Sequence, residues 1–231
     1  MVQEKQIQVP TFGNRYDLSV NFARAEDAGS TLATLITGTG VPNAGSYNGG
    51  GVGNKAILGC KGHTGLPLSA IASITWEWEL VAEEPPTFLP YVNLVVSVGG
   101  GLYKIFSIDP LQAVILNTGT LTPLGGNKFS FTHDTATNFV QVVNAFTVAP
   151  ILSPPVPVAA GAGPVWNNAS FRWSDIIASF PTYALADASS LDGGLPAATI
   201  TPALLFNVGD SANRVEHNYR LSNLFFNGAP A

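Results

Sequence analysis

The sequence predicts an all-β fold in which two antiparallel sheets pack face to face. Residues 74–80 (ITWEWEL) alternate apolar and polar side chains with the period of two that a half-buried strand requires. Two further strand-like segments follow at residues 90–96 and 102–108. The chain holds 24 Gly and 17 Pro and shows no regular alternation of strands with helices. Many turns and many apolar strands fit a two-sheet sandwich better than a helical or α/β fold.

Turn-forming and β-branched residues place the remaining elements. Further strands are predicted at residues 18–22, 31–37, 56–60, 111–116, 128–132, 138–148, 199–208 and 219–226. Long loops are predicted at residues 38–54, with seven Gly, and 149–164, with five Pro. One short helix is predicted near residues 174–180, with Ser174 as its N-cap and Pro181 ending it. We interpret about nine to twelve strands with long connections as a jelly roll.

Length and composition describe one domain with few charges. The 231 residues suffice for a single large β domain, so we assign residues 15–231 to it and residues 1–14 to an N-terminal arm. Only 11% of the residues are charged, and ten Lys and Arg are scattered through a chain of net charge −5. We therefore expect no binding of nucleic acid or of an anionic membrane surface. No apolar run is long enough for a membrane-spanning helix, and the first residues lack the apolar core of a signal peptide.

Four segments of the predicted sandwich resemble a known family. They are Ile74–Leu80, Pro90–Val96, Trp173–Ile177 and Leu221–Gly228. Their order resembles that of extracellular β-jelly-roll modules of the concanavalin-like and carbohydrate-binding type. The resemblance implies a non-catalytic module that binds a glycan or packs against other subunits on a surface. Family members often carry an acidic, Gly-rich turn where this chain has Ser97–Gly101 without an Asp, which gives no support to a calcium ion at that turn.

Glu77 and Glu79 are the candidate catalytic pair. They lie two residues apart on one predicted strand, so their carboxyl groups point to the same side about 6 to 7 Å apart, from a rise of ~3.3 Å per residue. That separation overlaps the geometry of glycoside hydrolases. Position 75 is Thr, so no third acid shares this face. A solvated strand face has the same pattern, and we favour that interpretation over catalysis.

Aromatic side chains are candidates for stacking against sugar rings. Trp76 and Trp78 alternate with apolar neighbours, so packing in the core is favoured for both. Tyr47 in the Gly-rich loop, Tyr103 near the Gly turn and Trp166 beside the Pro-rich loop are better placed to face solvent. These three residues form the candidate carbohydrate-binding set.

Acidic and amide residues in turn sequences are candidate calcium ligands. Asp192, Asp210 and Asn213, and also Asp187, lie in or near turns and offer hard oxygen atoms. Asp and Asn form such turns without any metal as well. A structural calcium ion therefore stays an alternative, and no other cofactor is expected.

The histidines and the single cysteine predict no further site. His63, His133 and His217 are too dispersed along the chain to indicate a metal-ligand set. Cys60 has no second cysteine to pair with inside the chain, which excludes an internal disulfide and every multi-thiolate metal site.

Three functions remain open, and the favoured one is structural. Low charge and a mean hydropathy of +0.24 favour a non-catalytic jelly-roll subunit that self-associates as a homo-oligomer on a virion, a filament or a cell surface. The arm, residues 1–14, is expected to add a strand to a neighbouring sheet. One alternative is a lectin-like carbohydrate-binding module of an extracellular protein. The other is a glycoside hydrolase or lyase that uses Glu77 and Glu79.

Overall fold

A computed structural model describes eleven parts of the chain. They are residues 7–8, 15–17, 24–29, 32–37, 55–81, 89–110, 121–134, 139–142, 169–188, 202–209 and 217–230. Within these parts the strands, in chain order, are β1 (Ile7–Gln8), β2 (Arg15–Asp17), β3 (Arg24–Gly29), β4 (Leu32–Thr37), β5 (Lys55–Cys60), β6 (Ser73–Leu80), β7 (Tyr91–Gly99), β8 (Leu102–Ile108), β9 (Leu121–Gly125), β10 (Lys128–Asp134), β11 (Phe139–Val142), β12 (Ala169–Arg172), β13 (Ala184–Leu185), β14 (Leu204–Gly209), β15 (His217–Phe226) and β16 (Ala229–Pro230). A helix, α1 (Trp173–Ser179), and a 3-10 turn (Leu68–Ala70) complete them.

The strands form two antiparallel sheets. The first sheet has the order β1-β2-β5-β14-β7-β8-β11-β12, with β13 also paired to β7. The second sheet has the order β3-β4-β15-β6-β10-β9, with β16 also paired to β15. Each described strand pair is antiparallel. The all-β, two-sheet prediction is therefore confirmed.

The core between the sheets is built on the alternation of β6. Ile74, Trp76 and Trp78 on this strand of the second sheet are at most 1% exposed. The Trp76 ring lies 5.1 Å from that of Phe131 on β10 and 6.4 Å from that of Phe206 on β14, measured between centroids. Since β14 belongs to the first sheet, Trp76 joins the two layers.

The first sheet is buried on both of its faces in its centre. Val92, Leu94 and Val96 on β7 pack in the main core. Val95, on the opposite side of the same strand, belongs to a second apolar cluster. The other buried members of that cluster are Ile57, Ile105, Ala188 and Leu205. Burial on both faces explains why residues 92–96 read as an almost unbroken apolar run.

The helix begins at Trp173, two residues earlier than the start at Asp175 that an N-cap at Ser174 predicts. Arg172 is its N-cap, in extended conformation and without a side-chain capping bond, so the assignment of Ser174 as N-cap is wrong. Tertiary packing decides the boundary, because Trp173 in the first position and Ile176 are both buried in the core. The helix ends before Pro181, as predicted.

The strand predictions divide into three groups. Those at residues 31–37, 56–60, 74–80, 90–96, 102–108, 128–132 and 219–226 are confirmed within a few residues. Parts of those at residues 138–148 and 199–208 appear as β11 and β14, whereas the segments 18–22 and 111–116 lie outside the described residues. Six strands, β2, β3, β9, β12, β13 and β16, were not predicted, and β1 lies in the arm, which was expected to pair with a neighbouring sheet.

The two-residue turn after β15, Asn227–Gly228, connects the second sheet to the 3-10 turn through hydrogen bonds. Asn227 and Gly228 both have positive φ, at 52° and 76°. The Asn227 Oδ1 accepts from the backbone N–H groups of Ala72 at 2.7 Å and Ser73 at 3.3 Å, and its Nδ2 donates to the Ala70 carbonyl at 2.8 Å. The side chain therefore anchors the start of β6.

We expect Asn227→Gly to lower the free energy of unfolding by about 1–2 kcal/mol, since glycine keeps the positive φ but loses the side-chain hydrogen bonds. Urea unfolding of the variant beside the wild type measures this. Asn223→Gly is the matched control, because Asn223, on β15, also has a positive φ, of 50°, and is exposed. Equal losses in the two variants would contradict the anchoring role.

Candidate functional site

The two candidate acids lie on the outer face of the second sheet, between β15 and β10. Glu79 lies opposite Arg220 on β15, and the Arg220 Nη1 donates to the Glu79 Oε2 at 3.3 Å. Glu77 lies opposite Ser222, whose Oγ donates to the Glu77 Oε2 at 3.4 Å. Each carboxylate thus has a partner on the neighbouring strand. The arrangement stabilises a strand pair, and it matches the surface interpretation of these acids.

The Glu79–Arg220 ion pair is open to solvent. The side chains are 35% and 53% exposed, respectively. Water screens such a pair, so its attraction contributes at most about 1 kcal/mol to stability. Other polar groups complete this face, and the Thr75 and Thr132 hydroxyl groups lie 3.0 Å apart. This face has the properties of a solvated sheet surface.

We expect the double variant Glu77→Gln/Glu79→Gln to unfold within about 1 kcal/mol of the wild type, because exposed pairs contribute little. The same protein, assayed against a panel of polysaccharides, should behave as the wild type does. Wild-type hydrolysis that the double variant loses, while keeping its fold by circular dichroism, would instead assign these carboxylates to catalysis.

The tryptophans of β6 are core residues, as favoured from the sequence. Trp76 is fully buried, and its Nε1 donates to the Pro90 carbonyl at 3.1 Å. Trp78 is 1% exposed, with its ring centroid 6.2 Å from that of Phe129. Neither ring is free to stack on a sugar.

The three stacking candidates are not brought together by the described residues. Tyr103 lies on β8, is partly buried and packs against the second apolar cluster of the first sheet. Tyr47 and Trp166 lie outside the described residues. Tyr103 is thus a flanking residue of a packed cluster.

The calcium candidates fall mostly outside the described part of the chain. Asp192, Asp210 and Asn213 belong to segments that are not described. Asp187 is described, and its Oδ1 accepts the backbone N–H of Ala203 at 2.8 Å, a long-range contact that joins two segments sixteen residues apart. Across the described residues, no group of three or more His, Cys, Asp and Glu side chains could hold a metal ion.

His63 is a half-buried titratable group at one end of the sandwich. Its ring centroid lies 4.5 Å from that of Phe226, with an interplanar angle of 41°. Burial lowers the pKa of His63 below its ordinary value of 6.5, and the nearby Asp187 carboxylate opposes that shift only in part. The folded protein therefore favours the neutral imidazole.

We expect acidification below pH 6.5 to destabilise the fold through His63, because the unfolded chain takes up this proton at a higher pH than the folded chain does. The loss of stability begins as the pH falls to the ordinary His pKa of 6.5, and it is complete below the lowered pKa of His63 in the folded protein. Urea midpoints at a series of pH values test this, and His63→Gln should show a shallower acid slope. An identical slope in the variant and the wild type would contradict it.

Two buried asparagines were missed by the sequence interpretation. Asn93 on β7 is 5% exposed and Asn207 on β14 is fully buried. The Oδ1 atoms of both side chains lack a hydrogen-bond partner, while the Asn207 Nδ2 donates to the Leu205 carbonyl at 2.9 Å. The register places Asn93 opposite Leu205 and Asn207 opposite Tyr91. In the sequence, each asparagine could have been noticed as a polar residue inside an apolar run: Asn93 within Val92–Val96, and Asn207 within Leu204–Val208.

Comparison with protein-family models, with curated proteins and with solved structures found no match. Of the helices that the structure describes, none is both long enough and apolar enough to cross a membrane.

Proposed function

We propose that this chain is a non-catalytic structural subunit, which self-associates into a homo-oligomeric assembly on a virion, a filament or a cell surface. The observation that carries the proposal is which side chains occupy the outer faces of the two sheets. Over the described residues, the centre of the outer face of the first sheet is buried and holds an apolar cluster together with Asn93 and Asn207, and the outer face of the second sheet is a polar ladder. Of the described sheet surfaces, the edges remain available for recognition.

The finer fold proposal is a jelly roll. The chain passes repeatedly between the sheets, for example from β4 to β5, from β5 to β6 and from β6 to β7. The strands near the C-terminus then insert between these, with β14 lying between β5 and β7 and β15 between β4 and β6. Such pairing of early with late strands supports a rolled topology, as in the extracellular jelly-roll modules that four segments of the sequence resemble.

Composition supports self-association. A chain with 11% charged residues and a mean hydropathy of +0.24 has few charges to keep its copies apart. Contact between copies would remove apolar surface from water, which stabilises an assembly. Val81 and Leu124, 48% and 46% exposed, are described large apolar side chains that face solvent.

The native mass of the full-length protein, measured by light scattering over a dilution series, tests the proposal. We expect a mass of many copies of the 24.1 kDa chain that persists on dilution. A monomer at every concentration would overturn it. Glycan-array binding by that monomer would favour the carbohydrate-binding alternative, and hydrolysis of a polysaccharide would favour the enzyme.

A further inference from the structure

The edges of the second sheet are protected against pairing with another copy. β3 forms one edge, and three of its six residues are charged: Arg24, Glu26 and Asp27. β9 forms the other edge and contains Pro123, which has no N–H to donate. Register shifts interrupt both edge pairs. Charge, proline and bulges are the devices that discourage edge-to-edge association.

One edge of the first sheet is different, because it is formed by the N-terminal arm. β1 (Ile7–Gln8) pairs with β2 through two residue pairs, Ile7 with Asp17 and Gln8 with Tyr16. β2 in turn pairs with β5. A two-residue ladder is too short to be stable by itself, so the tether to the rest of the chain holds β1 in place.

The arm is also the strand that is most easily exchanged. Six residues, 9–14, join β1 to β2 and span up to about 20 Å when extended, at ~3.3–3.6 Å per residue. Pro10 lies in this segment and favours extended backbone in the residue before it. A connection of this length allows β1 to lie up to about 20 Å from β2.

Two other short strands cannot exchange in this way. β16 (Ala229–Pro230) also has two residues, but only the turn Asn227–Gly228 separates it from β15, and the Asn227 side chain anchors that turn. β12 runs directly into α1, whose Trp173 is buried in the core. Moving either strand would break packed structure, whereas the described backbone pairing of β1 consists of two residue pairs.

We propose that β1 is exchanged between copies, so that Ile7 and Gln8 of one copy pair with Asp17 and Tyr16 of a second copy of this chain. The exchanged pairs equal the pairs within one chain, so exchange replaces each lost contact with an identical one. In an assembly the acceptor strand is held close, which favours exchange over a free arm. This inference depends on the proposed function, since it names the contact through which the copies associate.

Cysteine cross-linking of the double variant Gln8→Cys/Tyr16→Cys tests the exchange. This pair is chosen because Tyr16 lies opposite Gly59 and not opposite Cys60, which is buried. After mild oxidation, a denaturing gel without reductant separates a disulfide within one chain from a disulfide between chains. We expect most of the oxidised protein to run as dimers or larger species, and reduction to return it to monomer.

The control is a pair that cannot exchange. Phe225 and Pro230 are residue partners on β15 and β16, so Phe225→Cys/Pro230→Cys should form a disulfide only within one chain. The single variants Gln8→Cys and Tyr16→Cys should give no dimer, which excludes chance contacts and Cys60. If Gln8→Cys/Tyr16→Cys does not fold, Ile7→Cys/Asp17→Cys samples the neighbouring pair.

Light scattering of the same samples separates the possible results. A multi-copy mass with disulfides between chains supports the exchange. A multi-copy mass with disulfides only within chains overturns the exchange and leaves the structural function standing. A monomeric mass at every concentration overturns both.

Discussion

Trp76→Ala is expected to lower the free energy of unfolding by about 3–5 kcal/mol, a large part of the stability of a typical domain. Trp76 is fully buried, and its ring contacts those of Phe131 in its own sheet and Phe206 in the facing sheet. The substitution would leave a cavity between the layers and remove the hydrogen bond to the Pro90 carbonyl. Urea unfolding followed by circular dichroism measures the loss.

Thr75→Ala, on the other face of the same strand, is the matched control. Thr75 is only half-buried and bonds to Thr132 across the outer face, so the loss should stay below about 1 kcal/mol. Equal losses for Thr75→Ala and Trp76→Ala would contradict the assignment of the two faces. Trp76→Phe should lie between them, because a smaller ring fills part of the cavity.

Deleting residues 1–14 is expected to abolish the assembly and leave a folded monomer. The deletion removes β1 and leaves the described core residues between the sheets, such as Trp76, Leu94 and Phe206, in place. Light scattering should show the mass fall to that of one chain, while the unfolding midpoint stays near that of the wild type.

Deleting only residues 2–6 is the control for this truncation, because it keeps Ile7 and Gln8. We expect this shorter variant to assemble as the full chain does. An unchanged assembly after deletion of residues 1–14 would exclude the arm as the contact between copies.

The fold was predictable where a strand buries one face. Trp76 and Trp78 alternate with Glu77 and Glu79, and the sheet register follows that alternation. Exposed edge strands carry no such signal. Leu121–Gly125 is exposed over four of its five residues and contains a proline, so β9 forms through its pairing with β10 and not through its own pattern.

The candidate site was predictable in part. The outward direction of Glu77 and Glu79 follows from the alternation, but their partners Arg220 and Ser222 lie more than 140 positions away along the chain. Such a pairing depends on tertiary register, which no local pattern contains. Asn93 had a local signal, as a polar residue inside an apolar run, but its burial follows only from the covering of both faces of the first sheet.

Electron microscopy of the purified full-length protein tests most directly the claim that this chain is a self-associating subunit. We expect a repeating particle, ring or filament in which neighbouring copies meet at the β1 edge of the first sheet. Copies joined instead through the polar outer face around Glu77 and Glu79 would contradict the edge-based account. Images of single separate molecules, at a concentration where light scattering also shows one chain, would contradict the structural function itself.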